Sequence, residues 1–149
     1  EDFYLDEGIF DKYFGVGWTK VYVEKMCDFF SRLGKTKHTV LRHSNMYGPH
    51  DKYDLEKSHV FGATVTKVMN STDGKVNVWG TGEEKRDLLY VGDLVDFIAQ
   101  AIEKQTTPYE LFNVFLDCTK AKKLIGWEPK HTLDEGIIKT LEWYKTNIK

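Results

Sequence analysis

His59 and Arg86 have side chains of types that can take part in proton transfer and in anion binding. An imidazole changes its charge near neutral pH and can therefore exchange a proton with a substrate. A guanidinium presents paired N–H donors that match the oxygens of a phosphate. His59 follows a serine at the start of a predicted helix, and Arg86 stands in a run of charged residues. Taken alone, each also fits a plain surface role, with Arg86 paired to Asp87 or Asp93.

Glycine and cysteine patterns argue against two common kinds of site. A dinucleotide-binding fingerprint, G-x-G-x-x-G, needs three glycines in the first strand–helix turn. The sequence has only the isolated pairs Gly15-x-Gly17 and Gly80-x-Gly82. Its two cysteines form no C-x-x-C pair and have no histidine at ligand spacing. We therefore expect reduced thiols and no metal site.

The composition is typical of a globular protein and limits the classes of partner. The 149 residues are enough for one domain with a sizeable core. With 23 acidic and 21 basic residues the net charge is −2, which gives too little positive field to hold nucleic acid. We find neither an apolar run long enough to span a bilayer nor the pattern of a signal peptide. We therefore expect a cytoplasmic protein with no nucleic-acid or membrane partner.

Apolar periodicity predicts helices in alternation with short strands. Helices are predicted at 17–33 (ended by Gly34), 59–70 (capped by Ser58), 94–104, 119–125 and 133–148. Strands are predicted at 38–41, 76–79, 88–91 and 111–116, irregular chain at 1–15 and 44–57, and a turn at 71–74. Thr132 and Glu135 have the spacing of a capping box. The alternation indicates an α/β fold, although so few strands cannot complete a parallel sheet alone.

Four local patterns occur in the order that is typical of one enzyme family. They are Asn45 to Asp51 (NMYGPHD) with Ser58-His59-Val60, Val78 to Gly82 (VWGTG) with Arg86 to Leu94 (RDLLYVGDL), Leu111 to Val114 (LFNV), and Asp117 to Pro129 (DCTKA…LIGWEP). In these patterns the chain resembles extended short-chain dehydrogenases of the NAD-dependent epimerase/dehydratase family, and within it the GDP-L-fucose synthases. The resemblance covers nearly the whole chain from Gly15 onward.

The resemblance implies the carboxy-terminal half of a Rossmann-type enzyme together with its small α/β substrate-binding domain. Residues 1–43 would form the end of the Rossmann part with the active-site helix, and residues 44–149 mainly the substrate-binding domain. The amino-terminal cofactor half of the family would be absent. Family members also have a glycine turn and a helix between the segments that here meet at Val114 and Phe115. Either residues are omitted at this junction or the deletion is real, and we favour omission.

The family's catalytic pair is Y-x-x-x-K, in which the lysine and the cofactor ribose promote proton transfer by the tyrosine. Lys20 matches the lysine, but Val16 stands at the tyrosine position and cannot transfer a proton. Tyr13 lies seven residues before Lys20 and fits the role only if the backbone bulges. His59 matches a general acid of the GDP-L-fucose synthases. The resemblance thus implies that Lys20 and His59 are catalytic, whereas a solvated lysine and a surface histidine remain the alternatives.

The resemblance also implies binding residues for NAD or NADP and for a nucleoside-diphosphate sugar. The implied cofactor-binding residues are Lys20, Ser44, Asn45 and Met46. The implied substrate-binding residues are Asn45, His59, Val60, Lys67, Val78, Trp79 and Arg86. Among these, Arg86 would hold the diphosphate and Trp79 would lie beside the base. The alternatives are that Asn45 stabilises a turn, that Lys67 is solvated and that Trp79 is a core residue.

The function that follows is that of an NAD(P)-dependent sugar-nucleotide epimerase/reductase or dehydratase similar to GDP-L-fucose synthase. Such an oxidoreductase or isomerase exchanges hydride at C4 of the sugar. The alternative is a non-catalytic sugar-nucleotide-binding or interaction module that has lost the tyrosine. The resemblance further implies a homodimer formed through the helix of Lys20, burying Val21, Met26, Phe29 and Phe30. We expect this fragment alone to be inactive.

Overall fold

The computed structural model of the protein describes residues 8–114 and 117–148. Its helices are α1 (Phe14–Ser31), α2 (Val60–Asn70), α3 (Val91–Lys104), α4 (Thr119–Ile125) and α5 (Leu133–Asn147). Its strands are β1 (His38–His43), β2 (Asn45–Tyr47), β3 (Leu88–Tyr90) and β4 (Tyr109–Val114). The α/β class is confirmed, and α4 has the predicted bounds. The other predicted helices differ at their ends, and α1 begins three residues earlier than predicted because a 3-10 turn, Asp11–Tyr13, leads into it.

The chain divides into two compact units. The first unit consists of the chain up to His43 together with Phe97–Glu128, and the second consists of Ser44–Asp96 together with Pro129–Lys149. The assignment of residues 1–43 and 44–149 to a Rossmann part and a substrate-binding part stays a prediction. The predicted strand at 111–116 corresponds to β4, but Phe115 and Leu116, and with them the junction after Val114, lie outside the described residues.

The first unit is built on a parallel pair of strands. β1 and β4 pair from His38 opposite Tyr109 to His43 opposite Val114. The chain reaches β1 through a turn after α1 that includes Gly34 at a φ of 70°, where glycine avoids the penalty of a left-handed backbone. The predicted end of this helix at Gly34 is therefore close, although α1 itself ends at Ser31.

The core of the first unit is an aromatic cluster under the strands. Phe97 of α3 packs edge-on against Phe112 at 5.2 Å and against Trp127 at 5.1 Å between ring centroids. All three side chains are buried, and edge-to-face rings at this separation are favourable. Trp127 is therefore a core residue of the first unit. Gln105 adds a polar tie, since its amide donates to the carbonyls of His38 and Thr107 at 3.0 and 3.1 Å.

The second unit contains a short strand that the sequence pattern did not predict. β2 lies in the segment 44–57, which was expected to be irregular, and pairs in parallel with β3. The prediction was wrong because β2 has only three residues and depends on a partner more than 40 positions away. Its last residue, Tyr47, is 2% exposed and contacts Phe61 and Tyr90, which anchors the strand in the core.

Two further predictions in the second unit were wrong. The segment 76–79 is not a strand, and its residues Val78 and Trp79 are 73% and 92% exposed. Although its β-branched residues favour a strand, this segment has no neighbouring strand to pair with in the described chain. Ser58 does not cap α2, because His59 is the cap residue and the Ser58 hydroxyl donates to the carbonyl of Asp54 instead.

The start of α5 is held by two polar arrangements. The predicted capping box is confirmed, with Glu135 N–H donating to Thr132 Oγ1 at 3.3 Å and Thr132 N–H to Glu135 Oε2 at 2.8 Å. Asp93, 2% exposed, accepts from the backbone N–H of His131 at 3.1 Å, and its other oxygen lies 2.8 Å from Nδ1 of that histidine. Asp93 thereby fixes the chain that leads into α5.

Candidate functional site

Lys20 lies on the wall of a cleft in the first unit. The cleft has a volume of about 920 Å³ and is lined by the inner face of α1, by residues 39–43 of β1 and by Asn113. Lys20 is exposed, and across the described residues its ammonium forms no hydrogen bond or ion pair. A free ammonium on the wall of a partly apolar cleft is available to an anionic or hydroxyl-bearing ligand.

Lys20 is placed toward the carboxyl end of β1. One helical turn after it, Glu24 reaches across to Arg42, the penultimate residue of β1. Because α1 and β1 run in opposite directions, the residues that precede Glu24 in α1 lie nearer the carboxyl end of the strand. Ligands of open α/β sheets bind beyond the carboxyl ends of the strands. The position of Lys20 is thus suited to ligand binding, and its role as a cofactor or catalytic residue stays a prediction.

The geometry of α1 gives no replacement for the tyrosine of the Y-x-x-x-K pair. Val16 is 54% exposed and sits one turn before Lys20. Tyr13 ends the 3-10 turn and α1 continues as a regular helix from Phe14, so the bulge that would bring Tyr13 closer is not formed. At 1.5 Å per residue, Tyr13 and Lys20 are about 10 Å apart along the axis. Tyr13 therefore does not take the position of the missing tyrosine.

His59 is at the amino terminus of α2 with its side chain exposed. It is the cap residue, with a φ of −68° and a ψ of 165°, and its imidazole makes no capping hydrogen bond. Val60, the first residue of the helix, is 74% exposed. The first turn of a helix presents unpaired N–H groups and the positive end of the helix dipole, which favour an anion nearby. His59 and Val60 are accordingly accessible to a ligand of the second unit.

Lys67 and Trp79 are brought together in the second unit. The Lys67 ammonium lies 5.9 Å from the centroid of the Trp79 ring and donates to the carbonyl of Asn77 at 3.2 Å. The alternative of Trp79 as a core residue is wrong, since its side chain is 92% exposed. An exposed indole with a cation over one face leaves its other face open for stacking.

Asn45 and Arg86 belong to the same part of the second unit. The Asn45 amide donates to the carbonyl of Asp87, the residue after Arg86, at 3.5 Å. Arg86 is exposed and, in the part of the chain that the structure describes, pairs with neither Asp87 nor Asp93. The carboxylate of Asp93 is engaged by His131 instead. The guanidinium of Arg86 is thus free to bind an anion.

Ser44 and Met46 flank Asn45 at the start of the second unit. Ser44 precedes β2, and Met46, the central residue of β2, is 39% exposed. Both lie beside a residue that points a polar side chain toward the segment of Arg86. Their predicted contact with a cofactor stays a prediction.

Three tyrosines of the second unit keep their protons well above neutral pH. Burial raises the pKa of Tyr53 to about 12, and the nearby carboxylate of Asp51 adds to the shift. Burial is also the main cause of the raised pKa of Tyr47 and of Tyr90. The Tyr53 hydroxyl donates to the carbonyl of Gly48 at 2.7 Å. These phenols therefore act as hydrogen-bond donors and packing groups rather than as proton acceptors.

Residues that sequence reasoning missed hold the first unit together around Lys20. Arg42 and Glu24 form a two-pronged ion pair, and Asn113, 8% exposed, has a side-chain oxygen that is buried without a hydrogen-bond partner in the described structure. The FNV motif contained Asn113, but nothing in the sequence indicated that this residue faces the same cleft as Lys20.

Residues 8–114 and 117–148 contain no cluster of three His, Cys, Asp or Glu side chains that could hold a metal ion. Within these ranges none of the helices combines the length and apolarity needed to cross a bilayer.

The first unit has residues that suit the ribose of a nicotinamide dinucleotide but not the glycine pattern that binds its pyrophosphate. The free ammonium of Lys20 and the orphan acceptor of Asn113 line a cleft that a hydroxyl-bearing group such as a ribose could enter. A pyrophosphate is held in Rossmann folds by a glycine-rich turn at a helix amino terminus, and that three-glycine pattern does not occur in the sequence. The residues present thus suit the sugar side of such a cofactor.

The chain is similar to curated proteins that are named as synthases of GDP-linked sugars. The chain is 30% identical to GDP-L-colitose synthase of Yersinia pseudotuberculosis over 106 residues, 68% of this chain and 34% of that protein. It is 27% identical to a probable GDP-L-fucose synthase of Oryza sativa subsp. japonica over 145 residues, 70% of this chain and 44% of that protein. It therefore spans a third to a half of the length of these curated relatives.

The fold is also similar to solved enzymes. The UDP-glucose 4-epimerase of Thermotoga maritima, solved with UDP-glucose, superimposes with a TM-score of 0.72 at 29% identity, over 89% of this chain and 54% of that one. The sequence model of the NAD dependent epimerase/dehydratase family matches residues 15–114, from the first turn of α1 to the end of β4. The chain belongs to the NAD dependent epimerase/dehydratase family.

Proposed function

We propose that the protein carrying this chain is an NAD(P)-dependent epimerase/reductase or dehydratase that acts on a nucleoside-diphosphate sugar, in the manner of a GDP-L-fucose synthase. The observation that carries the proposal is the free ammonium of Lys20 on the wall of the cleft along β1. Membership of the family and the names of the relatives support the same class of reaction.

In this proposal NAD or NADP, when bound, supplies hydride exchange with C4 of the sugar. Lys20 binds the cofactor ribose and orients it. Ser44, Asn45 and Met46 keep their predicted role as cofactor-binding residues of the second unit. His59 holds a proton at its imidazole for transfer to or from the substrate. The accessible position of His59 at the start of α2 supports this role.

The substrate-binding role of the second unit rests on its free cations and exposed apolar groups. Arg86 binds the diphosphate through paired N–H donors. Trp79, with Lys67 over one face, offers the other face to the base, and Val60 and Val78 add exposed apolar contacts. Asn45 ties the start of β2 to the Arg86 segment and so positions the guanidinium.

A second candidate function is a non-catalytic sugar-nucleotide-binding or interaction module. Val16 favours it, because no phenol stands one turn before Lys20 and Tyr13 does not replace it. This module would keep Arg86, Trp79 and Asn45 for binding and would have lost proton transfer by tyrosine.

Turnover in the full-length protein separates the two candidates. We expect Val16→Tyr to raise the rate of NADPH-dependent conversion of a nucleoside-diphosphate keto sugar, because it restores a phenol beside Lys20. Val16→Phe is the matched control, since it adds the ring without the hydroxyl. Wild-type turnover above background would support the enzyme, whereas wild-type turnover at background, with sugar nucleotide still bound, would establish the binding module.

We further propose a cytoplasmic homodimer formed through α1. Neither Cys27 nor Cys118 is in a disulfide, which supports a reducing compartment. Phe29 and Phe30 are 56% and 44% exposed on α1, and exposed aromatic pairs of this kind are typical of interfaces. Sedimentation of the full-length protein should give a dimer that Phe29→Asp dissociates. A monomer in both forms would contradict this part of the proposal.

A further inference from the structure

The most tightly built polar contact near the cleft joins α1 to β1. Arg42 Nε donates to Glu24 Oε1 at 2.8 Å, and Arg42 Nη2 donates to Glu24 Oε2 at 2.6 Å. The two side chains are only 27% and 17% exposed. The hydrogen bond to Glu24 is also the main cause of the raised pKa of Arg42. Both oxygens of Glu24 are thus committed to one guanidinium.

Glu24 is also the natural competitor for Lys20. The two residues are four apart on α1 and line the same cleft. Oppositely charged side chains at this spacing on a helix attract each other and form ion pairs. Lys20 nevertheless has no ion pair in the described chain, while Glu24 is held by Arg42.

We propose that Arg42 is a positioning residue for Lys20: by occupying both oxygens of Glu24, it keeps the Lys20 ammonium free for a bound cofactor. This rests on the proposed function of Lys20. A bidentate guanidinium is suited to the task because its fork matches both carboxylate oxygens, whereas a lysine would leave one oxygen for Lys20.

A second residue, Asn113, supports a binding site in the cleft of Lys20. It is the register partner of Arg42 in the neighbouring strand, so both side chains project from the same face of the sheet. Its buried oxygen has no partner in the described residues, and a buried acceptor is destabilising unless a donor is supplied. A hydroxyl of a group bound beside Lys20 would supply that donor.

The chain also contains a matched control pair. Arg32 and Asp28 form the same two-pronged contact on α1, at 3.2 and 2.8 Å, but Arg32 is 72% exposed and neither residue lines the cleft. Arg32→Gln therefore removes the same chemistry from the same helix without releasing Glu24.

The test is the rate at which an amine-reactive acetylating reagent labels Lys20, measured by mass spectrometry with Lys12 as internal reference. Arg42→Gln should slow the labelling of Lys20 several-fold, because the released Glu24 pairs with the ammonium and holds it protonated. The double variant Glu24→Gln with Arg42→Gln should restore the wild-type rate, and Arg32→Gln should not alter it.

A structural role alone predicts a different pattern. If Arg42 only holds α1 on the sheet, Arg42→Gln would leave labelling of Lys20 unchanged or faster, and the double variant would not differ from it; either result overturns the proposal. Should Arg42→Gln unfold by circular dichroism, Arg42→Lys is judged by the same criterion. The labelling requires no cofactor, so it can succeed even if the protein proves not to use NAD(P).

Discussion

The helices α1 and α5 differ in how completely their neighbours cover them. In α1, 18 residues long, Ser31 is the buried residue, and large apolar side chains such as Tyr22, Phe29 and Phe30 stay exposed. In α5, 15 residues long, Gly136, Thr140 and Tyr144 are buried at intervals of four. One face of α5 is thus buried in the second unit, whereas most of α1 stays exposed in the first unit.

This difference is informative because the two units have different proposed roles. Helix α1 carries Lys20, which is proposed to bind the cofactor, and α5 belongs to the unit that is proposed to bind the substrate. The open helix α1 carries Lys20 and borders a cleft. The packed helix α5 supports the segment from Gly48 to Tyr53, whose rings contact Trp143 and Tyr144. The proposed substrate-binding residues therefore belong to a unit whose helix α5 is well packed.

The largest expected effect tests the packing of α5. Gly136→Ala should lower the free energy of unfolding by about 1–3 kcal/mol, because overpacking a core forces its neighbours to move. A Cβ there would lie 2.0 Å from the hydroxyl oxygen of Tyr47, which is itself buried. Gly15→Ala in α1 is the control, since its Cβ would meet nothing within 4 Å. Urea unfolding with equal losses for both variants would remove the contrast between the helices.

A slightly smaller effect is expected at the start of α5. Asp93→Ala removes the hydrogen bonds to the N–H and Nδ1 of His131 and should cost about 0.5–1.5 kcal/mol, the net worth of a typical hydrogen bond, because the donor left unpaired is only part-buried. Asp93→Asn should cost less, because its amide oxygen still accepts from the backbone N–H. Thermal unfolding measures both, and equal stability of Asp93→Ala and the wild type would show that Asp93 does not hold this segment.

The pH dependence of stability should reflect the packed tyrosines of the second unit. The pKa of Tyr53 is about 12 in the folded protein against an ordinary value of 10.0. Between these values the folded state keeps a proton that the unfolded state has lost, so stability falls as pH rises from about 10 to about 12. Denaturant unfolding of Tyr53→Phe should show a shallower fall over this range. An unchanged slope would mean that Tyr53 titrates alike in both states.

The smallest expected effect on stability is at Trp79. Because its side chain is 92% exposed, Trp79→Ala should change the free energy of unfolding by no more than about 0.5 kcal/mol. The same variant should lower the tryptophan fluorescence that acrylamide quenches readily, since Trp79 is far more exposed than Trp18, at 37%, or the buried Trp127. A destabilisation like that of Gly136→Ala would place Trp79 in a core.

Local signals in the sequence predicted the helices well. The capping box of Thr132 and Glu135 and the apolar periods of α3 and α5 depend on residues close together in the chain. The four family patterns also led to the correct fold class. One of them named Arg86, and the comparison with the family's Y-x-x-x-K pair named Lys20. Both proved to be free cations in the described chain, although their functional roles stay predictions.

Non-local contacts set the limit of what the sequence predicts. β2 was missed because it pairs with β3, which is far away in the sequence. The segment 76–79 was predicted as a strand because β-branched residues favour strands, but it has no pairing strand in the described chain. Glu24 and Arg42 are 18 residues apart, and only the packing of α1 on β1 joins them. The positioning role of Arg42 therefore has no sequence signal.

The central claim is that this chain supplies the sugar-nucleotide side of the site. It is tested most directly by calorimetric titration of the 149-residue chain with GDP-L-fucose, UDP-glucose and NADP. We predict that a sugar nucleotide binds and that Arg86→Ala weakens it by about 1.5–3 kcal/mol with unchanged melting, because a charged hydrogen bond is lost at an exposed side chain. NADP should bind very weakly, since the glycine fingerprint for its pyrophosphate is absent. Micromolar NADP binding, or equal sugar-nucleotide affinity in Arg86→Ala, would contradict the account.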